Sequence, residues 1–291
     1  MTVALTNRCN LPCCRCFTGR QRGRADLPLA VLQQILVEAK PLGVEEICFT
    51  GGDPMLYRYL GLAVRLTSAA GYRFALMTNG WSFAQTYAHF LPYRAHLAAI
   101  TFSLAGASAD SHDRVQGQGS YQRVLQAMHI CAQHELPFTV LMTITAYNRH
   151  ELAPMAHLAH RLGSRALRFG YLPPSSFVLE RDIDLAPQEY KMVEAEVYGL
   201  GQQLPLPITM TPRHHTFALS LYAALQLAAL HIDCYGNLTD GYHFTKHDTL
   251  AGSSAATGIL PGAVPALPWA TANQPAREEN SPFRQRAYVS D

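Results

Sequence analysis

The sequence predicts an α/β fold built on a parallel sheet, and three observations support this prediction. Over residues 3–170, short apolar runs alternate with amphipathic segments of helical length, a pattern typical of successive β-α units. Hydrophobic residues make up 48% of the 291-residue chain and charged residues 15%, so a large core can form. Polar or glycine-rich turns follow the predicted strands, at the sheet edge where barrels of this class carry their sites.

The alternating pattern gives six strands with helices between them. In chain order they are strand 3–5, helix 29–40, strand 46–50, helix 59–70, strand 72–77, helix 83–90, strand 97–104, helix 121–134, strand 138–145, helix 149–162 and strand 166–171. Helix 29–40 places Leu32, Ile35 and Leu36 on one face. Pro173 and Pro174 end the sixth strand, because proline cannot donate to a strand ladder.

Beyond the sixth strand the pattern changes. A helix over 187–203, a short strand over 208–210 and a strongly apolar helix over 216–230 are predicted. From about residue 252 the chain is rich in Ala, Pro, Ser and Gly and has little apolar periodicity. The sequence therefore predicts three parts, a barrel domain at 1–175, an extension at 176–251 and a loosely ordered tail at 252–291.

Charge and cysteine usage exclude several classes of protein. A net charge of +2 gives no general attraction to nucleic acid or to an anionic membrane. The seven cysteines are an odd number and are partly clustered, unlike a secreted disulfide framework. The opening residues have no signal-peptide pattern, and the apolar run 217–230 is shorter than the ~20 residues a membrane span needs. We therefore expect a cytoplasmic protein without nucleic-acid or membrane partners.

A loop of clustered cysteines follows the first strand. Cys9, Cys13 and Cys16 stand at C-x3-C-x2-C spacing, and Asn10 and Pro12 keep the segment out of a helix. Three thiolates on one loop can bind one metal centre and leave one coordination position open, whereas closed structural sites use four ligands. A zinc loop completed by a distant His, Cys or Asp is the alternative.

A second motif stands directly after strand 46–50. Gly51 and Gly52 allow a close backbone approach, Pro54 stiffens the turn, and the Asp53 carboxylate can accept a charge-assisted bond from an ammonium group. In isolation these four residues would also suit an ordinary strand-to-helix turn. Their position one β-α unit beyond the cysteines makes a binding site the better interpretation.

Together, the two motifs resemble those of the radical S-adenosylmethionine (radical SAM) superfamily. The resemblance implies a partial (β/α)6 TIM-like barrel in which Cys9, Cys13 and Cys16 hold one [4Fe-4S] cluster and SAM binds the fourth iron. It also implies that SAM is reductively cleaved to a 5′-deoxyadenosyl radical, which abstracts hydrogen from a substrate. The electron would come from an external one-electron reductant of the flavodoxin or ferredoxin type.

The resemblance also implies which residues contact SAM. The turn 51–54 corresponds to the family motif that binds the SAM amino group, with Asp53 where the family usually has glutamate. Further contacts are expected, by their positions at strand ends, from Asn79, Ser103, Thr143 and Leu172. Arg15 stands where many relatives have an aromatic residue between the last two cysteines.

The segment after the fourth strand resembles the peptide-modifying subgroup that carries a SPASM or twitch extension. The similar residues are 103–106, 112–114 and 117–121, although Ala105 stands where the subgroup usually has an acidic residue. His112 and Asp113 are interpreted as a loop cap and a helix start rather than an acid/base pair. No catalytic residue is assigned.

The C-terminal region resembles the core of the same extension without its cysteines. Gly241 stands where a cluster cysteine is expected after the 231–238 segment. The remaining candidates are Cys48, Cys131 and Cys234, of which the first two fall in a predicted strand and helix as small apolar residues. We therefore expect a single cluster.

The substrate is expected to be a peptide or protein side chain, and two alternatives remain. The first is a small-molecule substrate in cofactor or antibiotic biosynthesis, and the second is a metal-binding or scaffold protein without catalysis. Four arginines follow or flank the cysteines, Arg15, Arg20, Arg22 and Arg24. They form either a solvated face or a surface that steers an acidic peptide or an anionic reductant.

Overall fold

A computed structural model describes residues 1–16, 23–171, 177–178, 185–211, 231–235 and 238–239. Its strands are β1 (Thr2–Thr6), β2 (Arg15–Cys16), β3 (Glu46–Gly51), β4 (Arg73–Thr78), β5 (Leu97–Ser103), β6 (Phe138–Thr143), β7 (Leu167–Gly170), β8 (Phe177–Val178), β9 (Ile208–Met210), β10 (His231–Ile232) and β11 (Leu238–Thr239). Its helices are α1 (Leu29–Ala39), α2 (Leu60–Ala69), α3 (Phe83–Thr86), α4 (Ala109–Gln116), α5 (Ser120–Gln133), α6 (Leu152–Arg161) and α7 (Pro187–Gln203).

Nine strands form one sheet in the order β11-β10-β1-β3-β4-β5-β6-β7-β9. Neighbouring strands are parallel throughout, except for the antiparallel pair β10–β11. The six predicted β-α steps are confirmed as β1 and β3–β7. Within the described part of the chain, β11 and β9 are the two ends of a linear order, so the sheet is an open, partial barrel. Strands β2 and β8 pair separately as an antiparallel ribbon.

Apolar side chains from the sheet and from the helices form one continuous core. Phe49, Phe74, Phe102 and Phe169 lie on four different strands and are fully buried. The predicted apolar face of α1 is confirmed, since all its members are buried. Because helices cover the parallel strands, the strands' carboxyl ends form an edge that loops can build on.

Two parts of the helical prediction were wrong. The predicted helix 83–90 stops as α3 at Thr86 and continues as two 3-10 segments, Tyr87–His89 and Leu91–His96. Helix α4 was not predicted, because its sequence, Ala-Asp-Ser-His-Asp-Arg-Val-Gln, has almost no apolar periodicity.

The region after the sixth strand extends the sheet on both sides. Strand β9 pairs with β7, and β10 pairs with β1. The predicted helix 216–230, Gly241 and the tail 252–291 lie outside the described residues. No helix in the described ranges has both the length and the apolar character needed to cross a bilayer.

Candidate active site

The cysteine loop is closed at its base by paired backbone. Asn7 donates its N–H to the carbonyl of Ala25 at 3.1 Å, and its side-chain Oδ1 accepts from the Ala25 N–H at 2.8 Å. Thr6 and Asp26 form an antiparallel bridge one residue further out. The Asn7 Nδ2 also donates to the Tyr235 hydroxyl at 3.1 Å, so the segment that follows β10 contacts this base. The loop therefore leaves and rejoins the sheet at a fixed point.

An ion pair on the outer side fixes the residue that precedes the first cysteine. Arg8 donates from Nη2 to both carboxylate oxygens of Asp26, at 2.8 and 2.7 Å. Arg58 donates from Nε to the same carboxylate at 2.8 Å. Burial opposes ionisation of Asp26, but bonds from Thr6, Arg58 and Arg8 outweigh it and lower the pKa of this carboxyl. Asp26 therefore stays charged and holds Arg8.

On the inner side, the glycine turn packs directly against the same segment. Gly52 donates its N–H to the carbonyl of Thr6 at 2.7 Å, and Asp53 donates its N–H to the carbonyl of Arg8 at 2.8 Å. A Cβ on Gly52 would lie 2.1 Å from the Arg8 carbonyl oxygen, and one on Gly51 would lie 2.1 Å from that of Thr6. Gly51 also has φ +145°, which favours glycine. The glycines thus allow the turn to meet the chain that leads to Cys9.

The Asp53 carboxylate is buried and faces protein donors. It accepts from the Met55 N–H at 2.9 Å, the Asn79 N–H at 2.9 Å and the Thr78 hydroxyl at 3.0 and 2.9 Å. Burial raises the pKa of this carboxyl to about 6, although the hydrogen bonds partly offset the effect. In this arrangement, the Asp53 side chain ties the turn after β3 to the turn after β4.

Asn79 lies between that carboxylate and the first cysteine. Its Nδ2 lies 3.7 Å from Cys9 Sγ and donates to Asn10 Oδ1 at 2.9 Å. Its Oδ1 accepts from the Trp81 N–H at 2.9 Å. The sequence placed Asn79 near SAM, but nothing in it indicated contact with a cysteine.

The end of α4 contacts the middle of the cysteine loop. Cys14 donates its N–H to the Val115 carbonyl at 2.9 Å, and Cys13 Sγ lies 4.0 Å from the Gln116 carbonyl oxygen. Gln116 also donates from Nε2 to the Ser103 carbonyl at 3.3 Å. The sequence did not indicate Gln116, because it lies at the end of α4, a helix that was not predicted.

The third cysteine lies on the β2–β8 ribbon. In this ribbon Cys16 is paired with Phe177, and Arg15 is paired with Val178. The chain that follows β7 therefore returns to the cysteine loop. Of the four arginines noted in the sequence, Arg20 and Arg22 lie outside the described residues, and Arg24 is exposed.

His112 and Asp113 have structural partners, as predicted. The buried His112 accepts the Ala105 N–H on Nδ1 at 3.0 Å, and burial lowers its pKa to about 4. Asp113 accepts from the Gly119 and Tyr121 N–H groups at 2.7 and 2.8 Å, which caps the start of α5. Asn148, which the sequence did not single out, donates to the Ala105 carbonyl at 2.8 Å.

The strand-end candidates share one edge of the sheet. Ser103 ends β5 and Thr143 ends β6, beside Asn79 after β4. Leu172 lies outside the described residues. The carbonyls of Ser103 and Thr143 accept from Gln116 and Asn148, at 3.3 and 2.9 Å. These SAM contacts remain predictions.

Three cysteines, Cys48, Cys131 and Cys234, lie outside the loop. Cys131 is fully buried on α5, and Cys234 is buried beside β10. Burial raises the pKa of each of these two thiols to about 12, and that of Cys48 on β3 to about 11. Among the residues that the structure describes, no three His, Cys, Asp or Glu side chains are grouped so as to hold a metal ion. A cluster spreads its thiolates over several irons, unlike a single ion.

The chain is similar to a known family and to several known proteins. The family model described as "Radical SAM superfamily" matches residues 3–159, which include the cysteine loop, the glycine turn and five of the six strands. An AdoMet-dependent heme synthase of Methanosarcina barkeri is 25% identical over 286 residues, covering 94% of this chain and 79% of that protein. A PqqA peptide cyclase of Rhizobium meliloti is 28% identical over 170 residues, covering 57% of this chain and 45% of that protein.

A solved structure shows the same fold. Streptococcus suis SuiB, bound to its precursor peptide SuiA, superposes with a TM-score of 0.69 at 13% identity, over 84% of this chain and 61% of that chain. The relatives are named as enzymes, and the matched residues exceed half of this chain. The family match includes the cysteine loop, the glycine turn and most of the parallel sheet, and the chain therefore belongs to the radical SAM superfamily of enzymes.

Proposed function

We propose that this chain cleaves SAM reductively at one [4Fe-4S] cluster and abstracts hydrogen from a peptide or protein side chain. The observation that carries the proposal is the contact between its two motifs. The turn 51–54 packs on Thr6 and Arg8, and Asn79 lies 3.7 Å from Cys9 Sγ. A cluster on the loop and SAM at the strand ends would therefore be neighbours.

The donor set fits the cluster that the family implies. Cys9, Cys13 and Cys16 supply three soft thiolates from one loop, and iron-sulfur clusters are held by such ligands. The base at Asn7 and the end of α4 fix the loop on two sides. When bound, the cluster and SAM together supply a one-electron cleavage of the sulfonium and a hydrogen-abstracting radical.

Residues of this chain would position SAM, and an external reductant would supply the electron. The turn 51–54 would hold the amino group through its backbone, because the Asp53 carboxylate oxygens already accept from Met55, Thr78 and Asn79. Asn79, Ser103, Thr143 and Leu172 would contact the rest of SAM. The electron would come from a cytoplasmic flavodoxin or ferredoxin.

The proposed peptide substrate rests on the relatives. PqqA peptide cyclase is 28% identical to this chain, although the match covers only 45% of that protein. The sequence similarity of 103–106, 112–114 and 117–121 to the peptide-modifying subgroup supports the same substrate class. SuiB supports the fold alone, because its identity is 13%.

A second candidate is a tetrapyrrole or another small molecule of cofactor biosynthesis. The observation that favours it is the length of the heme synthase match, 94% of this chain. The peptide cyclase match covers only 57% of this chain.

Anaerobic reconstitution with iron and sulfide tests the cluster. We expect about four irons per chain and reductive formation of 5′-deoxyadenosine from SAM. Cys13→Ala should lose both, while the matched control Cys14→Ala should retain them, since Cys14 is not one of the three proposed ligands. Zinc without SAM cleavage in the wild-type protein would contradict the proposal.

Deuterium transfer separates the two substrates. The reconstituted enzyme is incubated with SAM, dithionite and either a deuterated short peptide or a deuterated tetrapyrrole. Deuterium in 5′-deoxyadenosine from the peptide alone supports the first candidate. Transfer from the tetrapyrrole alone would replace it with the second.

A further inference from the structure

We propose that Asn79 is a positioning residue for the cluster, and that its side-chain amide donates an N–H···S hydrogen bond to Cys9 that raises the reduction potential. The inference rests on the proposed function, because it takes Cys9 as a cluster ligand. It assigns Asn79 a role different from the SAM contact that its position suggested.

The orientation of the Asn79 amide follows from its other partners. Oδ1 accepts the Trp81 N–H at 2.9 Å, so the opposite atom must be the NH2 group. One N–H of that group donates to Asn10 Oδ1 at 2.9 Å. The second N–H is directed to Cys9 Sγ, at 3.7 Å from Nδ2, a normal separation for a sulfur acceptor.

Neighbouring bonds hold this amide in place. The Asn79 backbone N–H donates to the buried Asp53 carboxylate at 2.9 Å. Asn10 accepts from Asn79 and donates its own Nδ2 to Ser82 Oγ at 3.0 Å. Turning the Asn79 amide over would break its bonds with Asn10 and with the Trp81 N–H. A donor fixed in this way needs little reorganisation when the charge on the sulfur changes.

A fixed N–H donor at a ligand sulfur has a predictable effect. Reduction adds one negative charge to the cluster, and part of it resides on the ligand sulfurs. A donor to such a sulfur stabilises the reduced form more than the oxidised form, and hydrogen bonds to the sulfurs are a recognised determinant of cluster potentials. The amide therefore makes the cluster easier for the external reductant to reduce.

The test is a redox titration of the reconstituted holoprotein, followed by electron paramagnetic resonance. SAM is omitted, so that a contact between Asn79 and SAM cannot contribute. In Asn79→Leu, the ratio of reduced to oxidised cluster at a given potential should fall about three- to tenfold, the usual worth of one hydrogen bond. Tenfold corresponds to about 59 mV for one electron. Asn79→Asp should fall further, because it adds a negative charge.

Ser82→Ala is the matched control. It removes the next bond in the same chain and leaves the Asn79 contact with Cys9 in place, so its titration curve should match the wild type. Curves for Asn79→Leu and wild type that coincide would overturn the inference. An equal shift in Ser82→Ala would also overturn it, because the shift would then come from a changed position of the cysteine loop and not from the Asn79 hydrogen bond.

A measurement on the wild-type protein tests the inference even if the Asn79 variants fail to bind iron. Protein labelled with 15N only in asparagine side-chain amides is reduced and studied by pulsed electron paramagnetic resonance. A nitrogen coupling to the cluster supports the contact, and its absence overturns the inference. An iron content near zero in the wild type would instead reject the proposed function, so the two failures are distinguishable.

Discussion

Asp26 and Asp53 hold the two sides of the segment that leads to Cys9, one through ion pairs with arginines and the other through buried hydrogen bonds to neutral donors. Asp26 is partly buried, pairs with the more exposed Arg8 and Arg58, and has a lowered pKa. Asp53 is fully buried, accepts bonds from neutral donors, and has a pKa raised to about 6. We call these the outer anchor (Asp26, Arg8 and Arg58) and the inner anchor (Gly52, Asp53 and Asn79).

The difference teaches where the site is sensitive. Exposed ion pairs are screened by water and contribute little to stability. A buried carboxylate with several neutral donors leaves those donors unsatisfied when it is removed, which costs far more. Loss of the inner anchor should therefore disturb the geometry around Cys9 strongly, whereas loss of the outer anchor should disturb it only slightly.

The largest expected effect comes from Gly52→Ala. The new Cβ would lie 2.1 Å from the Arg8 carbonyl oxygen, and both atoms belong to backbone that cannot move independently. We expect a loss of about 4 kcal/mol in the free energy of unfolding, measured by chemical denaturation of the apoprotein, together with reduced iron content.

Gly199→Ala is the control for this change. Gly199 lies within α7, and an added Cβ there would meet no atom of another described part of the chain within 4 Å. Alanine there should stabilise the protein by about 0.5–1 kcal/mol through helix propensity. Equal effects of the two substitutions would show that close packing of the turn does not explain the glycine at position 52.

Asp53→Ala should have the next largest effect. It leaves the N–H groups of Met55 and Asn79 and the Thr78 hydroxyl without their acceptor. We expect a loss of about 3 kcal/mol in the free energy of unfolding at pH 7. Asp110→Ala, at an exposed carboxylate in the first turn of α4, should change the same measurement little. Similar losses in the two variants would show that Asp53 is not an anchor.

The anchors should also respond to pH with opposite sign. For Asp53 the folded pKa of about 6 exceeds the ordinary value of 3.8, so its stabilisation is fully present below about pH 4 and is lost as the pH rises through 6. The change amounts to about 2–3 kcal/mol. For Asp26 the pKa is lowered, so its stabilisation is present above pH 3.8 and is lost as the pH falls below that value.

Denaturation at several pH values checks these signs. The advantage of the wild type over Asp53→Asn should shrink from pH 4 to pH 6.5, whereas its advantage over Asp26→Asn should shrink only in acid. Parallel curves for the two variants would mean that the carboxylates do not differ in their environment.

Much of the fold, but little of this anchoring, could be predicted from the sequence. Strand 46–50 and helix 187–203 were predicted to within a residue, because apolar periodicity reports local burial. The spacing of Cys9, Cys13 and Cys16 indicated a metal-binding loop. The contact of Asn79 with Cys9 spans 70 residues and depends on how two loops meet, which no local pattern encodes.

The smallest expected effect is that of the outer anchor. Asp26→Asn removes the charge that pairs with Arg8 and Arg58 but retains an oxygen acceptor, so we expect a loss of about 1 kcal/mol at pH 7 and iron content close to wild type. Arg58→Gln should have less effect, because Arg58 is exposed and Arg8 still holds Asp26. High salt should reduce the difference between wild type and Asp26→Asn, and should leave the Asp53→Ala difference unchanged. A loss of iron in Asp26→Asn as severe as in Asp53→Ala would mean that the surface ion pair, and not the buried carboxylate, sets the position of Cys9.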